Sequence, residues 1–182
     1  MKTTPPPIKN IAGTLFNEFM PIAMVLRQHM PPDETIEENY LARWWLAKIE
    51  AEHDHARLGP LPEHTRRTEH FNMYLHRMTG SDKRIHHNHP WPNASLVLEG
   101  EMLEHTPLGS QVRRAGDMVY RRAEELHRLE LISPVCWTLF LTGNKVQEWG
   151  FQLPNGRIVK WTEVTKLGED GVQRYCGPEM VA

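Results

Sequence analysis

The chain has 182 residues, 40% apolar and 24% charged, which suits one folded domain with an extension and argues against wholesale disorder. Its 21 basic and 23 acidic residues give a net charge of −2, so no global positive field exists to hold nucleic acid or an anionic membrane surface. Two cysteines, Cys136 and Cys176, cannot build a disulfide framework or a four-cysteine zinc site, and a reducing compartment is the simpler reading.

Pro5, Pro6 and Pro7 predict a loose tail over residues 1–7. From Ile8 to His29 the apolar residues Ile11, Leu15, Phe19 and Ile22 recur at helical spacing, with a kink or break expected at Pro21. No small-x-small cleavage pattern follows, and no run reaches about 18 uninterrupted apolar residues, so neither a signal peptide nor a membrane-spanning helix is expected, and the protein reads as cytoplasmic. A second helix is predicted from Thr35 to about His55. Leu41, Trp44, Trp45, Ala47 and Ile49 mark its apolar side, and Glu37 and Glu38 lie near its positive end. Gly59-Pro60-Leu61-Pro62 closes it.

From Phe71 onward the segments shorten and turn residues punctuate the chain. Strands are predicted over Asn72–Thr79, Ile85–His89, Ser95–Leu98, Glu101–His105, Gln111–Arg113, Met118–Arg121, His127–Ile132, Cys136–Leu141, Gln147–Leu153 and Arg157–Trp161. Turns fall at Gly80-Ser81-Asp82, Pro107 to Gly109, Ala115-Gly116-Asp117, Ser133-Pro134, Gly143-Asn144 and Pro154-Asn155-Gly156. Many short strands without alternating long helices predict an antiparallel sandwich or barrel, not a parallel α/β sheet. The polar stretch after Trp161 receives no assignment.

Eleven histidines are the unusual count, and several crowd into Ile85-His86-His87-Asn88-His89-Pro90-Trp91. In a strand, residues two apart share a face, so His87 and His89 project together and His86 points away. A third imidazole follows the turn Gly116-Asp117. His127 alternates with Leu129 and Leu131 on one face, while Arg128 and Glu130 occupy the other, which aims His127 into the barrel. A histidine pair around an asparagine is often a surface accident, and a lone His127 is more often a core residue with one hydrogen bond. Taken together, the three favour a divalent metal site.

These segments resemble the two motifs of the cupin superfamily. The first reads His87-Asn88-His89 and runs through Leu98-Glu99-Gly100-Glu101; the second runs from Gly116-Asp117 to His127. More narrowly, Tyr74-Leu75-His76-Arg77, His89-Pro90-Trp91, Thr138 to Gly143 and Glu148-Trp149-Gly150-Phe151 are similar to a group of small bacterial and phage cupin proteins. The resemblance implies a mostly β fold, an antiparallel jelly-roll β-barrel with an N-terminal helical extension. Residues 1–66 would be the tail and helices, 67–165 the barrel and 166–182 a C-terminal tail. The glutamate that the first motif carries would fall at Asn93 or Ala94, and Glu99 comes too late to replace it. What remains is the set His87, His89 and His127, closest to the three-histidine cupins, which include thiol dioxygenases.

The expected cofactor is one divalent ion, Fe, Zn, Ni or Mn, and the ligands do not choose among them, because imidazole suits several. The expected function is a metal-dependent enzyme of the Fe(II) oxygenase type acting on a small molecule. The alternative is a non-catalytic cupin that binds a small ligand or metal as a sensor, accessory or interaction module. Tyr120, His76 and Arg77 are candidates for contacting the substrate. Arg113-Arg114 and Arg121-Arg122 read as a solvated basic patch, Trp137, Trp149 and Trp161 as packing, and Cys136 as buried and inert. No Gly-rich phosphate loop and no G-x-S-x-G elbow occurs. The apolar N-terminal segment, with Trp44 and Trp45, leads to the expectation of a homodimer.

Overall fold

Residues 34–36 and 41–49 form strands in the stretch whose spacing predicts a helix. The computed structural model describes residues 8–37, 39–167 and 173–178; the proline tail over residues 1–7 and Glu38 lie outside these. Strand β1 is Glu34–Ile36 and β2 is Leu41–Ile49. Strand β2 is buried on both faces, which removes the polar–apolar alternation that would have identified it. A bulge between Trp45 and Ala47 also shifts its phase, so its apolar residues fall at intervals of three and four. Only short turns follow, a 3₁₀ turn at Glu50–Glu52 and helix α2 at His55–Leu58.

Helix α1, Ile8–His29, does form, and it continues through Pro21, whose ring lies on the exposed side. Its other side carries Ala12, Leu15, Phe16, Phe19, Ala23 and Leu26 onto the sheet residues Trp44, Leu75, Leu96, Leu98, Trp137 and Leu139. Trp44 stacks on Trp137 with ring centroids 5.3 Å apart, and its indole N–H donates to the Met30 carbonyl. Arg27 pairs with Glu99 and lies over the Trp137 ring. Trp44 and Trp45, the basis of the expected homodimer, are thus both buried within the chain.

The remaining strands are β3 Arg66–Thr68, β4 Asn72–Met78, β5 Asn93–Glu99, β6 Glu101–Thr106, β7 Gly109–Arg114, β8 Met118–Arg121, β9 Arg128–Leu131, β10 Cys136–Thr142, β11 Gly150–Gln152, β12 Ile158–Lys160, β13 Thr165–Leu167 and β14 Gln173–Tyr175. Helix α3, Trp161–Val164, separates β12 from β13. A seven-stranded sheet runs β1-β2-β4-β10-β5-β8, with β3 added in parallel to β2. A three-stranded sheet, β7-β6-β9, faces it, and two small hairpins, β11-β12 and β13-β14, complete the described residues. Apart from the β2–β3 pair, every pairing is antiparallel.

Between the two sheets lies an apolar layer of Leu41, Met78, Val97, Met102 and Cys136, joined by Leu129 and Leu131. This layer contains the expected inward face of the segment after His127. Burial pushes the Cys136 thiol up to about 12, which makes it the inert residue the sequence suggests. The chain passes from the large sheet to the small one at Gly100, which has φ +85°. A Cβ there would clash with the Val135 carbonyl oxygen. Gly100→Ala should therefore lower the free energy of unfolding by roughly 3 kcal/mol, read from urea denaturation, with no change in secondary-structure content.

Candidate metal centre

The segment predicted as strand Ile85–His89 makes only isolated bridges, His87 to His127 and His87 to Phe151. Pro90 ends it before a ladder can grow. Short contacts fix it instead. His87 N–H donates to the His127 carbonyl and His127 N–H donates back to that of His87, each at 2.9 Å. His89 N–H donates to the Ala123 carbonyl at 3.1 Å. The Asn88 side chain points away and accepts from Gly150 N–H at 2.7 Å, while Gln147 donates to the carbonyls of both His89 and Ala123. The period-two expectation thus holds for His87 and His89 without a regular strand.

The result is a near-equilateral triangle of imidazoles. Ring centroids are 5.1 Å apart for His87–His89, 4.9 Å for His87–His127 and 5.1 Å for His89–His127. One nitrogen from each ring lies within 4.8 Å of the other two, and Nε2 of His89 is 2.8 Å from Nε2 of His127. Burial holds the His87 ring down to about 4, and burial together with His87 and His127 holds His89 well below the ordinary histidine range. Both are neutral at pH 7, as metal ligands must be.

A residue that sequence reasoning missed organises this triangle. Glu104, on β6, is 2% exposed and accepts from His127 Nδ1 at 3.2 Å. Arg121 reaches the same oxygen at 2.6 Å through Nε, and Arg113 reaches the other oxygen at 2.8 Å. Burial alone would raise the Glu104 carboxyl, but the hydrogen bond from His127 and the Arg121 guanidinium outweigh it and hold it well below the usual carboxylate range. An ionised carboxylate only accepts, so the His127 proton sits on Nδ1 and its Nε2 lone pair faces His87 and His89. A carboxylate behind a histidine is the arrangement that orients metal-binding imidazoles. Neutral, converging nitrogen donors fit a borderline divalent ion.

The arginines of the expected solvated patch divide. Arg113 and Arg121 turn inward onto Glu104, while Arg114 pairs with Glu101, and Arg122 with Glu124 and Glu125, at the surface. The sequence signal for Glu104 was its place two residues beyond buried Met102, on the same face of β6, with Arg113 directly across from Met102. Asn93, one of the two positions considered for the missing glutamate, is buried beside Arg121, and Glu99 lies outside on Arg27.

The three substrate candidates are not brought to the triangle. Tyr120 is 67% exposed on the outer face of β8, and Arg77 is exposed on the outer face of β4. His76 is buried inside, stacked on Tyr74 and Phe140, and its Nε2 accepts from Arg43 at 2.9 Å. Phe140 in turn lies 5.9 Å from the His89 ring. An open cleft of about 490 Å³ adjoins the site, with Lys48, Tyr74, Trp91, Trp149 and Trp161 on its walls. Trp91 stacks on His89 and Trp149 meets His87 edge-on, so one aromatic layer separates the cleft from the triangle.

No protein-family model matches the sequence, and none of the curated proteins compared with it matches either. Solved structures do resemble the chain. The DMSP lyase DddQ from Ruegeria pomeroyi is 12% identical with a TM-score of 0.49, over 81% of this chain and 77% of that one. KdgF from a Halomonas species is 11% identical with a TM-score of 0.46, over 63% and 86%. A cupin superfamily protein from Desulfitobacterium hafniense is 11% identical with a TM-score of 0.43, over 79% and 93%. The architecture is mostly β, two facing sheets of almost wholly antiparallel strands preceded by a helix. No helix among the described residues is long and apolar enough to cross a membrane.

Glu104→Gln removes the charge that the buried Arg121 and the half-buried Arg113 guanidinium groups share, while keeping the shape. It should cost roughly 3–5 kcal/mol in urea denaturation, well beyond the effect of Glu101→Gln, which breaks an exposed pair.

Proposed function

We propose that this chain binds one divalent metal ion through His87, His89 and His127, and acts as a metal-dependent enzyme of the Fe(II) oxygenase type on a small molecule held in the adjoining cleft. The observation that carries this reading is the triangle itself: three imidazole nitrogens converge, and the 2.8 Å approach of two Nε2 atoms calls for a proton or a cation between them. A bound ion would supply Lewis acidity or, as iron, one-electron and dioxygen chemistry. The protein's own part is positional. Glu104 keeps the His127 proton on Nδ1 and so keeps Nε2 available. Phe140 and Trp91 pack around His89, and Trp149 and Phe151 around His87, which limits water at the rings and strengthens electrostatic effects there. Without a carboxylate among the ligands, the ion would keep its full double charge and attract an anionic or electron-rich group.

A second reading, a cupin that binds metal or ligand without turnover, draws on the aromatic layer between triangle and cleft. The two readings separate in one set of measurements. Elemental analysis of tag-free protein should find near-stoichiometric metal, lost in His87→Ala, His89→Ala and His127→Ala. Glu104→Gln should bind the ion about 10–100-fold more weakly in competition with a chelator. Iron-loaded protein should consume dioxygen with a small thiol or organic acid. Metal without consumption across such a panel favours the binding role, and absence of metal even after reconstitution removes both.

A further inference from the structure

Lys48 stands on the cleft wall without a carboxylate partner. It lies on β2, half-buried, and its Nζ donates to the Tyr74 hydroxyl at 3.2 Å. The rings of Tyr74 and Trp45 lie 5.4 and 5.8 Å from Nζ. Among the described residues it makes no ion pair, and the acids nearest in its field are engaged elsewhere. Glu34 is held by Arg43 and Arg57, and Glu52 accepts from Lys145 N–H. The other lysine on the cleft, Lys145, is neutralised by Glu148 at 2.7 Å. Burial accordingly pulls the Lys48 ammonium below its ordinary range. A half-buried ammonium that faces an open cleft has one charge left to satisfy, and ring faces offset only part of its lost hydration.

We propose that Lys48 and the Tyr74 hydroxyl form an anion anchor, and that the ligand of this cleft is a small organic monocarboxylate with a flat or apolar body. The ammonium and the hydroxyl can both donate to one carboxylate. The body would lie against Trp91, Trp149 and Trp161, and Glu52 on the same wall disfavours a second negative charge. Trp91 stacks on His89, so a ligand anchored at Lys48 would extend toward the triangle. The proposal deepens the function above, since it takes the cleft to be where the small molecule sits, but its test does not need the metal.

The probe is benzoate, with benzamide as its neutral counterpart, and the readout is ligand-observed NMR titration. Full-length protein is measured after chelator treatment and again after reloading with metal. Chelated wild type should bind benzoate at least about tenfold more tightly than benzamide, the size expected of a charge-assisted hydrogen bond. Lys48→Met should abolish that contrast and Lys48→Arg should keep it. Equal affinities in chelated wild type, no saturable benzoate binding, or a contrast that survives Lys48→Met would overturn the anchor. The wild-type contrast decides the matter even if Lys48→Met fails to fold. A contrast found in protein that never takes up metal would retain the anchor and remove only the metal reading; metal uptake without the contrast would do the reverse.

Discussion

The carboxylate of Glu104 joins the small sheet, the large sheet and the candidate metal centre. It receives Arg113 from β7, Arg121 from β8 and His127 from just before β9; Arg121 and His127 are buried and Arg113 half-buried. The Arg121 guanidinium cannot be buried beside that of Arg113 without it, and it cannot be buried without them. Such a set is costly to desolvate and contributes little net stability. What it fixes is geometry. The proton on His127 Nδ1 and the lone pair on Nε2 both follow from an acceptor that stays ionised.

The interior is divided so that this network can exist. One end is filled by Leu41, Met78, Val97, Met102, Cys136, Leu129 and Leu131. The other holds the histidines, Glu104 and Arg121. Strand β6 serves both ends on one face, Met102 in the apolar layer and Glu104 in the polar one. Outside, α1 seals the far face of the large sheet, which allows β2, β4, β5 and β10 to be apolar on both sides. The three rings sit on irregular segments, which the paired backbone hydrogen bonds between His87 and His127 and the packed strands behind them hold in register.

The sequence disclosed the metal-binding candidates because their signal is local. His87 and His89 are two residues apart, and His127 begins an alternating apolar face that the structure confirms in Leu129 and Leu131. The hairpin strands between Asn93 and Thr142 were legible for the same reason: alternation and turn residues lie within a few positions of one another. Strand β2 was not, because cover on both faces and a bulge at Leu46 imitate helical spacing. Glu104 was not, because its partners Arg113, Arg121 and His127 lie 9, 17 and 23 residues away, and its one local signal, shared parity with Met102, does not mark a charged side chain as an inward one. Tyr120 and Arg77 were drawn from strands that do pass near the site, but their parity puts them on the outer face.

The most direct test of the account is the protonation state of one ring. Nitrogen-15 NMR of the histidine side chains in metal-free protein should show His127 as the Nδ1–H tautomer, its proton protected from exchange by Glu104. One equivalent of Zn²⁺ should then perturb ring nitrogens of His87, His89 and His127 and leave the other eight histidines in place. A His127 protonated on Nε2, or zinc that shifts a different set of rings, would contradict it.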